Sequence, residues 1–210
     1  MNRIFSARFA LILTVAVAAV ADVAADTVVI DFEGLPDSTV LTSQYPGVTF
    51  TNGIVLTAGI SLNEFEFPPN SGVNVASDNG GSMSIAFASP VTSFAGYFTY
   101  LEPVTVTAFD AANDQVASAA SLFSDNLACL AGPPCSGDPG SSPNEFVQVA
   151  FAGGISNLTI TGDPAGGSFT LDDATYTTFA TTVPEPATSF PILVGGALAA
   201  LARRRRNRFL

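Results

Sequence analysis

Every basic residue of this chain stands at one of its two ends. Arg3 and Arg8 lie near the start, Arg203, Arg204, Arg205, Arg206 and Arg208 near the finish, and there is no Lys and no His. Between Asp26 and Val183, sixteen acidic residues face no base at all. Whatever this stretch folds into contains no internal ion pair, so each carboxylate it orders must be held by hydrogen bonds, water or a bound cation. The same imbalance removes classes of function. Nucleic acid and anionic lipid rely on Lys and Arg to neutralise phosphate, so neither is an expected partner. Without His, the Ser-His-Asp and Cys-His arrangements and the common zinc sites are gone as well.

The body shows almost no helical periodicity. Alternating Val, Thr, Phe and Ile segments recur instead between Gly, Pro and Asn breaks. They predict strands over 27–32, 48–51, 54–57, 72–76, 82–88, 92–100, 104–110, 115–122, 146–152, 157–161 and 168–176. Residues 26–180 suffice for one domain, and so many short strands in one domain point to an all-β, two-sheet antiparallel β-sandwich. Thr51-Asn52-Gly53-Ile54 reads as a hairpin turn, as does the break at Asn113-Asp114. Core candidates are Phe87, Phe94, Phe98, Val104, Val106, Phe146, Val149, Phe151, Leu158, Ile160, Phe169 and Leu171. The Gly-, Pro-, Ser- and Asp-rich stretch 124–144 interrupts the rhythm and predicts a long loop at one end of the sandwich. Inside it, Cys129 and Cys135 are expected to close a small disulfide ring in an exported protein.

The two ends read as addressing segments. Residues 1–25 have the basic start, the apolar run from Phe9 to Ala21 and the small residues of a signal peptide. Val23-Ala24-Ala25 favours cleavage before Asp26, with Ala19-Val20-Ala21 as the second candidate. At the other end, residues 181–210 hold Pro184-Glu185-Pro186, an apolar stretch from Phe190 to Ala202 and then the four arginines. The prolines hold the preceding residues extended, which suits a processing enzyme. Thirteen residues of helix reach roughly 20 Å, a short transmembrane helix. The arginine block is expected to stay cytoplasmic and leave the body outside.

This tail resembles a PEP-CTERM sorting signal. Pro184, Glu185 and Pro186 match its tripeptide, Phe190 to Ala202 its short membrane stretch, and Arg203, Arg204, Arg205 and Arg206 its basic cluster. The resemblance implies a Gram-negative host that makes extracellular polysaccharide. It implies an exosortase that cuts near the tripeptide, and delivery to the cell envelope or matrix. Pro191 early in the helix and the extension Asn207 to Leu210 depart from the pattern.

A fainter resemblance covers the body. Asp31-Phe32-Glu33-Gly34-Leu35-Pro36, then Phe87-Ala88-Ser89-Pro90-Val91 with Phe94, then Val104 to Asp110, and finally Phe169 to Tyr176 are similar to bacterial secreted jelly-roll domains related to carbohydrate-binding modules. It implies a jelly-roll sandwich whose first and last strands are neighbours. That would bring Asp31 and Glu33 towards Asp172 and Asp173, and hard oxygen ligands without nearby bases suit a structural calcium ion. The bland alternative is four solvated carboxylates. Only one of Asp172 and Asp173 is expected to face such a site, because neighbours on a strand alternate.

Tyr97 and Tyr100, three apart on one strand, are expected on opposite faces, one packed and the other either an ordinary surface aromatic, the reading the lack of Trp favours, or a platform for stacking a sugar. The pairs Thr49/Thr51, Thr105/Thr107 and Thr159/Thr161 read as outward threonines of half-buried strands and not as an ice-binding face. The remaining catalytic option is a glycosidase-like carboxylate pair drawn from Glu64, Glu66, Glu102 and Glu145, and it lacks any Arg, Lys or Trp to hold a sugar. The reading is therefore of a non-catalytic, exported β-sandwich with an adhesive or structural role, with a calcium-bearing carbohydrate-binding module as the alternative.

Overall fold

The structure is a computed structural model and describes residues 23–128 and 137–182. Cys129, Cys135 and the tail from Val183 lie outside the described residues. So do the signal segment up to Asp22, with both of its cleavage candidates' apolar flank, and the predicted membrane helix. The chain divides into two units. One comprises 1–24 and 181–210, and its described part is a two-residue antiparallel ladder of β1 (Val23–Ala24) with β12 (Thr181–Thr182).

The other unit, Ala25–Ala180, is the body. It is all-β and its named strand pairs are all antiparallel: β2 (Thr27–Ile30), β3 (Val40–Leu41), β4 (Val48–Thr51), β5 (Gly53–Thr57), β6 (Asn74–Asp78), β7 (Met83–Tyr100), β8 (Thr105–Phe109), β9 (Gln115–Ala120), β10 (Glu145–Thr161) and β11 (Phe169–Thr178). Among the described residues there is no helix long and apolar enough to cross a membrane.

Two long strands organise the body. The predicted segments 82–88 and 92–100 are one strand, β7, and the predicted segments 146–152 and 157–161 are one strand, β10. Each changes neighbours part-way. Ser84–Phe87 pair with β4 on one side, and Met83–Ala86 pair with the end of β10 on the other. That end of β10 continues to β8, and β8 to β9. Beyond Pro90 the rest of β7 pairs with the start of β10 and with β11. From β11 the order runs through β6 and β5 to β3, with β2 also on β11. The change falls where β10 slips register between Ala150 and Asn157, around Gly153 and Gly154. Gly154 has φ +103°, which an L side chain rarely adopts, and Pro90 has no N–H to give the ladder.

The two arms so formed pack on each other. Phe32, just past β2, meets Phe50 of β4 edge-on at 6.1 Å, and Tyr45 joins both rings. The core holds nine of the twelve candidates, among them Phe94, Phe98, Leu158, Ile160, Phe169 and Leu171. Phe87 and Phe151 pack against it only partly buried. Phe146 is 52% exposed, a correction with a clear cause. On β10 it is Val147 and Val149 that point inward, so Phe146, one step out of phase, faces water.

Asn52-Gly53 is a second correction. Asn52 does adopt φ 56°, as a turn there requires, but β4 and β5 do not pair with each other. The step is a corner that carries the chain from one arm to the other. Asn113, at φ 66°, does sit in a hairpin, between β8 and β9.

Candidate functional site

Because the body has no base, its ordered carboxylates must find N–H donors, and four of the predicted site residues show how. β2 and β11 are indeed paired, Ile30 opposite Ala174, which brings Asp31 and Glu33 near Asp172 and Asp173. Three of the four then grip the same segment, residues 70–74. Asp172 accepts the N–H groups of Asn70 and Ser71 at 2.7 and 2.8 Å. Asp173 accepts the Asn70 amide at 2.8 Å and the Ser71 hydroxyl at 2.9 Å. Glu33 accepts the N–H groups of Val73 and Asn74 at 2.7 and 2.8 Å. Gly72, at φ +55°, is required at the centre, since a Cβ there would overlap the Glu33 carboxylate. Asp31 caps the Glu33 N–H at 3.1 Å.

Strict alternation would have sent Asp172 and Asp173 to opposite faces. A register shift between Asp172 and Thr175, with Asp173 at φ 47°, breaks the alternation and lets both carboxylates reach one loop. Nor are the four gathered as a calcium ligand set. Asp172, Asp173 and Glu33 bond the loop and Asp31 bonds the Glu33 N–H, and among the described residues no group of three or more His, Cys, Asp or Glu is arranged to hold a metal ion. The clamp has an electrostatic cost. Burial pushes the Asp172 carboxyl up to about 6, assisted by the charge of Asp173 and opposed by the N–H groups of Ser71, Asp173 and Asn70. Burial likewise raises Asp78, which holds the N–H groups of Ser168 and Phe169.

Tyr97 and Tyr100 separate by face, as their spacing predicts. Tyr100 is fully buried and donates its hydroxyl to Glu145. Burial, with that bond and the Glu145 charge, pushes the phenol up to about 12. It therefore offers no surface to a ligand. Tyr97 lies on the other face, half-buried, its ring 5.3 Å from that of Phe146 and tilted by 58°. The two are register partners across β7 and β10. Along the same face run Ala95 and Ser93 of β7, Gln148 and Ala150 of β10, and Thr175 and Thr177 of β11. Apart from the buried Asp172 opposite Tyr97, the result is a floor of small and polar neutral side chains, the buried Ala95 among them, with one aromatic pair at its end. Phe146 is the part of this surface that the strand pattern missed, and the Val147/Val149 phase of β10 is the signal that finds it.

The glycosidase candidates are engaged locally. Glu64 accepts the Gly59 N–H, Glu66 the Asn63 amide, and Glu145 the Leu122 N–H besides the Tyr100 hydroxyl. Glu102 lies in the turn before β8. Asn126, in the long loop, was not foreseen. It is fully buried, accepts the Tyr100 N–H at 2.7 Å and donates to the Phe98 and Ser142 carbonyls, pinning the loop to the end of β7.

The tail lies outside the described residues, and there the sequence decides. Residues 182–206 match the PEP-CTERM protein-sorting motif. The chain carries a PEP-CTERM sorting signal. None of the curated proteins matches the chain. Among solved structures, the K2 cleaved adhesin domain of Lys-gingipain is similar at 13% identity, covering 72% of this chain and 98% of its own, with a TM-score of 0.46. A mutant of the family 29 carbohydrate-binding module CBM29-2 is 12% identical, covering 78% of this chain and 100% of its own, with a TM-score of 0.39. A family 11 carbohydrate-binding module from Clostridium thermocellum, in complex with a mixed-linked tetrasaccharide, is 8% identical, covering 76% and 98%, with a TM-score of 0.32.

Proposed function

We propose that this chain is an exported, non-catalytic contact protein of the cell surface. On this reading an exosortase processes the PEP-CTERM tail near Pro184, Glu185 and Pro186, and Arg203 to Arg206 hold the precursor in the membrane. The protein then reaches the envelope or polysaccharide matrix of a Gram-negative bacterium. The body, a two-sheet jelly-roll β-sandwich, acts there as an adhesive or structural component. The observation that carries the reading is the sorting motif at residues 182–206. It agrees with a body whose clamp acids Asp172 and Glu33 serve its own backbone. The test is the intact mass of the surface-extracted protein in cells with and without exosortase. Mature protein lacking both ends is expected with the enzyme and a membrane-retained precursor without it; identical mass and location in both would end the proposal.

The Tyr97–Phe146 pair favours a second, compatible reading, that the contact is with neutral glycan. A pyranose ring can lie on the aromatic pair while Gln148, Ser93 and the Thr hydroxyls offer hydrogen bonds. An acidic body favours neutral over anionic chains for such a site. Calcium is not required by this reading, since the clamp carboxylates are already engaged.

A further inference from the structure

Two Asn-Gly steps, Asn52-Gly53 and Asn79-Gly80, meet at one place in the body, where the Asn79 N–H donates to the Asn52 carbonyl at 2.8 Å. Such a step has its own chemistry. The deprotonated glycine nitrogen attacks Cγ of the asparagine and forms a C–N bond. The C–N bond to the side-chain amide breaks, and ammonia leaves. Water then opens the resulting succinimide at either carbonyl, giving aspartate or isoaspartate, with no oxidant or reductant. Glycine is the residue that least obstructs the attack, because it has no side chain beside its nitrogen and the freest backbone.

The fold treats the two steps differently. Asn52 is fixed at φ 56° with its side-chain amide donated to the Ser82 carbonyl at 3.2 Å. Gly53 is buried within β5, between Leu41 and Asp78, and a Cβ there would stand 3.2 Å from Leu41. Bringing the Gly53 nitrogen onto the Asn52 side chain means opening that ladder. Asn79 and Gly80 are both exposed, beyond the end of β6. Gly80 has φ +81° and nothing within 4 Å of an added Cβ. The Gly166 backbone packs close to the Gly80 nitrogen, since a Cβ on Gly166 would stand 2.5 Å from it, but the Asn79 side chain that must reach that nitrogen belongs to an exposed residue outside the ladder. We propose that Asn79 is a site of spontaneous deamidation and isoaspartate formation in the folded protein, and that the sheet protects Asn52 from the same reaction.

The product has a structural consequence. It places a new carboxylate beside Asp78, which is 2% exposed and held only by hydrogen bonds from Ser168 and Phe169, in a body without a base. An isoaspartate also adds a methylene to the backbone next to the residue that holds Ser168 and Phe169. Age would thus loosen the turn between β10 and β11.

The test incubates the full chain in mildly alkaline buffer, folded and in urea, and maps its peptides by mass and by isoaspartyl methylation. In the folded protein the Asn79 peptide is expected to gain one mass unit and isoaspartate. The Asn52 peptide should convert at least about tenfold more slowly, because its reaction waits on local opening. In urea the two rates should converge, and Asn79→Gln should remove the folded-state signal. Equal rates in the folded chain, faster conversion at Asn52, or an Asn79 that converts only in urea would each overturn the proposal.

Discussion

Tyr97 and Asp172 stand opposite each other on β7 and β11, so their side chains leave the sheet on the same face, yet they meet opposite fates. Asp172 is 1% exposed, closed over by Asn70 and Ser71, whereas Tyr97 is half-open and shares its surface with the exposed Phe146. The difference teaches how a body without bases divides its labour. Its ordered carboxylates are satisfied by backbone N–H groups and by amide and hydroxyl side chains and shape the loops, and the open part of the Tyr97–Phe146 face is neutral. The most severe way to break this contrast is Asp172→Ala. It strands the N–H groups of Asn70, Ser71 and Asp173, and is expected to cost about 4 kcal/mol in all, since each of these partly buried donors left unpaired carries a penalty of about 1 to 2 kcal/mol. For a domain of this size that lowers Tm by roughly 12 °C, which calorimetry at neutral pH would show. A loss of only a degree or two would mean that the loop is held by other contacts.

The second test uses pH. Burial raises the folded Asp172 carboxyl to about 6, above its value of 3.8 in an open chain. The folded state therefore binds the proton more tightly than the unfolded state between these values. The resulting stabilisation is fully present below the unfolded pKa and is lost as pH rises through about 6. Its size is up to about 3 kcal/mol. Asp78, also raised by burial, works in the same direction. The body should thus melt higher near pH 4 to 5 than at pH 7, against the usual course of acid denaturation. Asp172→Asn should flatten the dependence. A Tm that falls steadily from pH 7 to pH 4 in the unaltered protein would refute the assignment.

The part of this arrangement legible in the sequence was the part governed by alternation. The strands, the inward Phe94, Phe98, Leu158 and Ile160, and the split of Tyr97 from Tyr100 follow from a period of two, whereas the adjacency of β2 and β11 was what the jelly-roll resemblance implied. What was not legible lies where that period breaks. β7 and β10 each read as two strands, because Pro90 and Gly153-Gly154 look like turns, whereas the chain keeps pairing through them on a changed set of neighbours. The bulge at Asp173 turned an expected pair of opposed carboxylates into one clamp. Asn126 and the 70–74 segment were invisible for a related reason. Their roles depend on which backbone groups the fold leaves unpaired, and that is fixed only when distant strands meet.

The gentlest perturbation sharpens the contrast most. Phe146 is 52% exposed and its described ring contact is with Tyr97, so Phe146→Ala is expected to cost about 1 kcal/mol or less. If the open face serves a neutral glycan, the same change should abolish retention on a neutral polysaccharide column while the melting curve barely moves. Tyr97→Ala should do likewise with a somewhat larger stability loss, because Tyr97 is the more buried of the two. The retention should be insensitive to salt, since no charged pair is involved. A variant that melts like the parent and is retained like the parent would show that the aromatic pair is only a covering for the sheet. Retention that appears on anionic polymer and vanishes in salt would place the contact elsewhere on the acidic surface, through a bridging cation. Whichever result is found, Phe146 separates contact from folding as Asp172 cannot, because the loop depends on the acid and nothing in the core depends on the phenyl ring.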